Sequence, residues 1–223
     1  MVLSGRMTNE ELFLLRRLAE TLGLDQGDLV PRAGENDGFL IAADRNPNTE
    51  GVKQVMEMPA PGSDLWSLRE AVRAGTIKTL LVLHENLLSE AGFTEGDLAK
   101  LDVLIAVHIL ANPTAAQAAV VLPGAGFAEK SGTMINVTGR LQRLNQAITP
   151  PGQARPDWRI LRDLVRAFGG ECGDDSVPAV FRSLAAAVPA FAGRTFASIG
   201  DLGVQLYETG VEIPLLKRER GSC

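Results

Sequence analysis

Sulfur and imidazole are scarce in this chain: its 223 residues include two cysteines, Cys172 and Cys223, and two histidines, His84 and His108. An iron–sulfur cluster wants four thiolates, which this chain alone does not have, and a Cys/His zinc site would have to take all four of these residues, so neither is expected. Two cysteines also exclude a disulfide scaffold. Long apolar runs are missing as well. The longest, residues 77–83 and 103–111, are interrupted by Lys78 and His108 and fall well short of the ~20 residues of a spanning helix. Residues 1–7 lack the apolar stretch of a secretory signal, so an intracellular, reducing setting is expected. There is no basic excess either. A net charge of -5 and a pI near 5.2 argue against nucleic acid as the partner.

What is present is a globular composition: 45% hydrophobic, 22% charged, mean hydropathy +0.07. These values exclude disorder, collagen and coiled coil. A chain of this mass buries about 70% of its unfolded surface, enough for a core without staples.

The pattern predicts a helix over residues 8–23, with a Thr8/Glu11 capping box, an apolar face of Leu12, Leu15, Ala19 and Leu22, and Gly23 as a left-handed stop. Residues 34–51 are turn-rich around a short apolar run. Asp64 caps a second expected helix, with Leu65, Leu68 and Val72 inward and Gly75 as its stop. Residues 77–83 and 102–110 read as buried strands, and 119–122 as a third strand. Between them lie a helix opened by Thr94 and Asp97 and an Ala-rich turn capped by Thr114. Strand, helix, strand, helix, strand at these spacings means right-handed crossovers and an α/β fold: a doubly wound parallel sheet flanked by helices. Residues 124–142 read as a long ordered loop with room for one extended piece, 157–168 and 176–188 as amphipathic helices, and 191–223 as an irregular tail. The expected division is an α/β domain over 1–190 and a C-terminal extension over 191–223.

Ligands of a parallel sheet bind beyond the carboxyl ends of its strands. Residues 84–86, 112–114 and 123–126 occupy that edge and offer amides, hydroxyls and bare glycine backbone. Gly124-Ala-Gly126 resembles half of a dinucleotide fingerprint, but Glu129 stands where the third glycine belongs, so a nicotinamide site is rejected. His84 and His108 lie on consecutive strands and read as hydrogen-bonded histidines rather than metal ligands. Glu10-Glu11, Asp174-Asp175 and Lys217-Arg218 read as solvated faces or caps, and Cys172 as a plain thiol.

Four segments carry a resemblance: residues 117–123 (QAAVVLP), 128–133 (AEKSGT), 136–142 (NVTGRLQ) and 150–158 (PPGQARPDW). In this order they resemble the molybdopterin oxidoreductase superfamily. Residues 8–11, 39–49, 68–78 and 187–193 are similar to its branch in the large iron–sulfur (G) subunit of bacterial NADH:quinone oxidoreductase, respiratory complex I. The resemblance implies a molybdopterin-oxidoreductase-like domain in which Glu129, Gly132, Thr133, Asn136, Arg140 and Gln142 line a pterin-nucleotide crevice. His84 stands where cofactor binders commonly have a small residue, and the family's cluster cysteines and metal-ligating residue are absent. The expectation is therefore a structural and assembly domain of the complex I peripheral arm, with no catalytic residue, metal or cofactor of its own. Its partners would be other peripheral-arm subunits and the iron–sulfur N-terminal part of the subunit, on the cytoplasmic side of the inner membrane, without membrane insertion. The alternative is the portion of a formate-dehydrogenase-like molybdoenzyme that binds molybdopterin guanine dinucleotide. Either way, the chain reads as a piece of a larger subunit.

Overall fold

The computed structural model describes residues 1–172 and 175–211. In chain order the elements are β1 (Val2–Leu3), α1 (Asn9–Leu22), β2 (Asp28–Leu29), α2 (Thr49–Val55), α3 (Leu65–Arg73), β3 (Thr79–Leu83), α4 (Leu87–Glu90), α5 (Glu95–Leu98), β4 (Val103–His108), α6 (Pro113–Ala116), β5 (Val120–Pro123), β6 (Gly132–Ile135), β7 (Arg140–Leu144), α7 (Asp157–Ala167), α8 (Val177–Ala187) and β8 (Val204–Gln205).

Five strands form a parallel sheet in the order β2-β1-β3-β4-β5. Helices cover both faces, as the apolar strands require. On one face Leu3, Leu83 and Val107 meet α1, α7 and α8 through Leu12, Leu15, Leu161, Val165 and Phe181. On the other, Val2, Leu80, Val82 and Leu104 meet Leu65, Leu68 and Val72 of α3 and Leu98 of α5. The doubly wound α/β fold is thus the one the strand–helix alternation predicts.

α1 forms where expected. Thr8 and Glu11 make the reciprocal capping box, and Gly23 closes the helix at φ +64°. It is buried more widely than one stripe, since Phe13, Leu14 and Leu18 are covered too, while Leu22 at the expected inner face is 40% exposed.

Several local expectations differ. Strands β1 and β2 have two residues each, too short to leave any periodicity, so the sequence signals neither. Residues 124–142 hold more extended chain than the one piece expected: β6 and β7 pair antiparallel, Gly132 opposite Leu144. α6 is capped by Asn112, whose Oδ1 accepts from the Ala115 amide at 2.9 Å. Thr114 instead donates its hydroxyl to Asn86 Oδ1 at 2.9 Å. Asp64 makes no side-chain cap on α3; its own amide donates to Asp28 Oδ2 at 2.7 Å. Past residue 190 the chain is mostly irregular, yet Phe191 and Ile199 enter the core and β8 adds a third strand beside β7. The Lys217-Arg218 end, Cys223 and Asp174 lie outside the described residues. Asp175 pairs with Arg162 and Arg166. Cys172 is free and buried.

Candidate functional site

The strand order reverses between β1 and β3: the chain winds from β1 outward to β2 in one direction and from β3 to β5 in the other. At such a switch point the connections leave to opposite faces and open a crevice beyond the carboxyl ends. At this edge stand residues 4–8 after β1, 84–86 after β3 and His108 at the end of β4.

Its floor is a buried chain of charges drawn from four segments. Lys130 Nζ donates to Glu11 Oε2 at 2.9 Å and to Asp157 Oδ2 at 3.0 Å. Asp157 Oδ1 lies 2.9 Å from His84 Nε2, and the His84 ring stands 6.1 Å from that of His108. Side chains of Glu11 and Asp157 are fully buried and that of Lys130 is 3% exposed. Burial by itself would lower the Lys130 ammonium, but the two carboxylates raise it above the usual lysine range. Burial raises Glu11, with Asp157 adding and Lys130 opposing. For Asp157 the pull of burial is overcome by Lys130 and His84, and its carboxyl stays below the ordinary range. Beside this group Glu10 is also buried, accepting from the Thr133 amide at 2.8 Å; burial pushes its carboxyl up to about 8. Glu10 and Glu11 are therefore not a solvated face. Helix α1 runs through the centre of the molecule, so its first turn is inside.

His84 has φ +57°, a left-handed conformation that disfavours side chains other than glycine. The Asp157 contact offsets that strain. The loop after β5 closes over the same point, where a Cβ on Gly124 would collide with Asp157 Oδ1 and lie 3.3 Å from the His84 ring. A second, partly buried knot ties the segment after β2 to the one after β3: Arg32 grips Glu85 with two hydrogen bonds, 2.9 and 2.5 Å, and reaches Glu90 at 2.8 Å. Burial raises Glu85, with Arg32 opposing.

Facing outward are Arg6, exposed, and His108, half-buried. His108 Nδ1 accepts from the Leu110 amide at 3.1 Å, which leaves Nε2 to carry the proton of the neutral ring. Burial, and then His84, hold its imidazole below the usual range. Among the described residues no ion pair engages Arg6, and no group of three or more His, Cys, Asp or Glu is placed to hold a metal.

The six residues expected from the resemblance lie together around β6, β7 and the turn before them, but their polar groups serve the fold. Glu129 Oε2 accepts from the Gly126 amide at 2.7 Å, occupying the space a pyrophosphate would need in a dinucleotide site. Gly132 is pressed on Thr8, since an added Cβ would lie 2.5 Å from Thr8 Cγ2. Thr133 is buried between Glu10 and Asn9. Asn136 Oδ1 organises the β6–β7 turn by accepting from Thr138 and Arg140 amides. Arg140 donates to the carbonyls of Leu202 and Gly203. Gln142 alone of the six is exposed, with Oε1 3.4 Å from the Asn136 amide nitrogen. Sequence reasoning missed Arg6, Lys130 and Asp157 as functional candidates. Lys130 and Asp157 fall inside the segments that carry the resemblance, Lys130 directly after Glu129.

A family model described as molybdopterin oxidoreductase matches residues 29–167. The chain is 40% identical over 147 residues to the NADPH-Fe(3+) oxidoreductase subunit alpha of Geobacter sulfurreducens, covering 63% of this chain and 17% of that one. It is 38% identical over 129 residues to a formate dehydrogenase alpha subunit of Methanococcus maripaludis, covering 56% and 19%. Among solved structures, acetylene hydratase from Pelobacter acetylenicus aligns with a TM-score of 0.50 at 18% identity, over 60% of this chain and 19% of that one. The match thus spans less than a fifth of the length of these relatives. They bear out the superfamily expectation, and they carry the formate-dehydrogenase reading further than the NADH:quinone oxidoreductase one.

Proposed function

The chain belongs to the molybdopterin oxidoreductase family, and from that membership we propose that it is one α/β lobe of a formate-dehydrogenase-like large subunit. In this reading the lobe helps to hold a molybdopterin guanine dinucleotide at the β1/β3 crevice. The observation that carries it is Arg6, exposed just after β1 and near enough for its charge to act on the half-buried His108 at the end of β4, while the charges of Lys130 and Asp157 are already paired.

The donor set suits part of such a group. A guanidinium meets a phosphate with paired hydrogen bonds, and a neutral imidazole offers one further N–H. Arg6 and His108 would therefore hold the diphosphate. The Glu129–Gln142 block would act from beneath, by fixing the hairpin and the loop rather than by contact. When bound, the group supplies a two-electron redox centre. Its metal ligand, the iron–sulfur clusters and the substrate pocket would belong to other parts of the subunit, and a cytoplasmic site of action goes with them.

A second reading keeps the lobe purely structural, in the complex I peripheral arm near the inner membrane. It is favoured by the internal use of Thr133, Asn136 and Arg140. One experiment separates the two. The chain is purified from its host with its bound partners, and molybdenum and oxidised pterin fluorescence are quantified. One pterin per assembly, lost in Arg6→Ala with the assembly intact, is expected. An intact assembly without pterin or molybdenum would overturn the reading in favour of the structural one.

A further inference from the structure

Residues 33–44, in the arm between β2 and α2, enter neither core. Residues 33–44 leave the sheet and return as a hairpin: Ala33 bridges Asp44 antiparallel, and the Gly34 amide donates to Ala43 O at 2.9 Å. At the tip, Asp37 Oδ1 accepts the amides of Phe39, Leu40 and Ile41 at 2.9, 2.9 and 2.8 Å. Asn36 Oδ1 accepts from Gly38 at 2.7 Å, and Gly38 supplies the turn with φ +69°.

The side chains raised by this carboxylate are Phe39, Leu40 and Ile41, which are 50%, 55% and 46% exposed. Ordering a surface segment has an entropic cost at every residue, and here about half of each apolar side chain stays in water. Three consecutive apolar side chains held out in water by polar bonds instead describe a pre-organised contact, since ordering beforehand lowers the cost of binding.

The charge around the tip selects the partner. Residues 35–44 contain Glu35, Asp37 and Asp44 and no cation. Of the flanking arginines, Arg32 is consumed by Glu85 and Glu90; Arg45 donates to the Glu35 carbonyl and its charge bears on Asp37, which leaves three carboxylates against one guanidinium around the tip. An acidic collar is repelled by an anionic lipid surface and is matched by a pocket rimmed with Lys and Arg. The family match takes in the arm, while the relatives carry more than four-fifths of their length outside the matched stretch.

We propose that this arm is a docking plug: Phe39, Leu40 and Ile41 enter an apolar, basic-rimmed pocket on the remainder of the large subunit. The identity of that occupant rests on the functional reading above; the plug itself rests on the tip geometry.

A photo-crosslinking amino acid at position 40, in the chain expressed in its host, tests it by mass spectrometry of the adducts. The expected result is one adduct, to apolar residues flanked by Lys or Arg in an oxidoreductase large subunit. Its yield should fall at least about fivefold when Asp37→Ala loosens the tip, with the chain still folded by circular dichroism. An adduct to a second copy, to lipid, to many proteins or to nothing overturns the proposal. Pterin measured in the same preparation keeps the two failures apart. A large-subunit adduct without pterin sinks only the functional reading, and pterin without an adduct sinks only the plug.

Discussion

Lys130→Met is the substitution that most directly probes the charge chain under the crevice. Methionine keeps the length and apolar stem of lysine but removes the ammonium that bridges Glu11 and Asp157. Both carboxylates are fully buried, and no water can replace the lost partner without opening the floor. Breaking a buried pair in this way costs about 3–5 kcal/mol. The two carboxylate oxygens lie within about 6 Å of each other, because both contact one nitrogen at 2.9 and 3.0 Å. Their repulsion adds about 3 kcal/mol at an effective dielectric near 20, unless one takes up a proton. Glu11, already raised by burial and by Asp157, is the one to do so, and protonation caps the added cost. The loss is therefore pH-dependent with a definite sign: in the variant the folded-state carboxyl is raised, so the penalty grows as pH climbs from the carboxylate range toward neutrality. Urea unfolding followed by the fluorescence of Trp158, 5% exposed beside the network, is the assay. The expected loss is about 3–5 kcal/mol at pH 7.5 and clearly less at pH 5. A loss under about 1 kcal/mol, or one equal at both pH values, would refute the account of the cluster as a charge-balanced unit.

Two further substitutions test neighbouring claims. Glu10, held up to about 8 against an unfolded value of 4.5, is protonated in both states below pH 4.5 and is increasingly penalised as pH rises toward 8. Glu10→Gln should match the wild type near pH 4.5 and exceed it by a few kcal/mol at pH 8; denaturation midpoints that stay parallel across this range would count against a buried, protonated Glu10. Gly124→Ala drives a Cβ against Asp157 Oδ1 and should cost about 1–3 kcal/mol, read as a lowered Tm, with unchanged Tm meaning that the loop is not pressed on the His84–Asp157 pair.

Parts of the fold were legible because their signals are local. The Thr8/Glu11 box, the left-handed Gly23, the apolar runs that become β3 and β4, and the stripe Trp158, Leu161, Val165 each act within one or two turns of chain. β1 and β2 were not legible. Two residues show no period, and what makes Val2–Leu3 and Asp28–Leu29 strands is the neighbours they pair with. Without β1 the switch point has no location, so Arg6 could not be recognised as standing at a crevice.

The candidate site divides in the same way. Sequence by itself determined the family block, the scarcity of thiols and imidazoles, and the presence of His84 where a smaller residue is common, because residue identity is all these need. Tertiary structure alone decided which polar groups are spent. Thr133, Asn136 and Arg140 look alike as free donors in a sequence, but Thr133 is bonded to the first turn of α1, Asn136 within the β6–β7 turn and Arg140 to the carbonyls of Leu202 and Gly203. It also decided that Glu10 and Glu11 are inside, since a capping pattern fixes where a helix starts but not whether that end faces water. Burial and pairing depend on which distant segments come together, here residues 11, 84, 130 and 157, and no local pattern encodes that meeting.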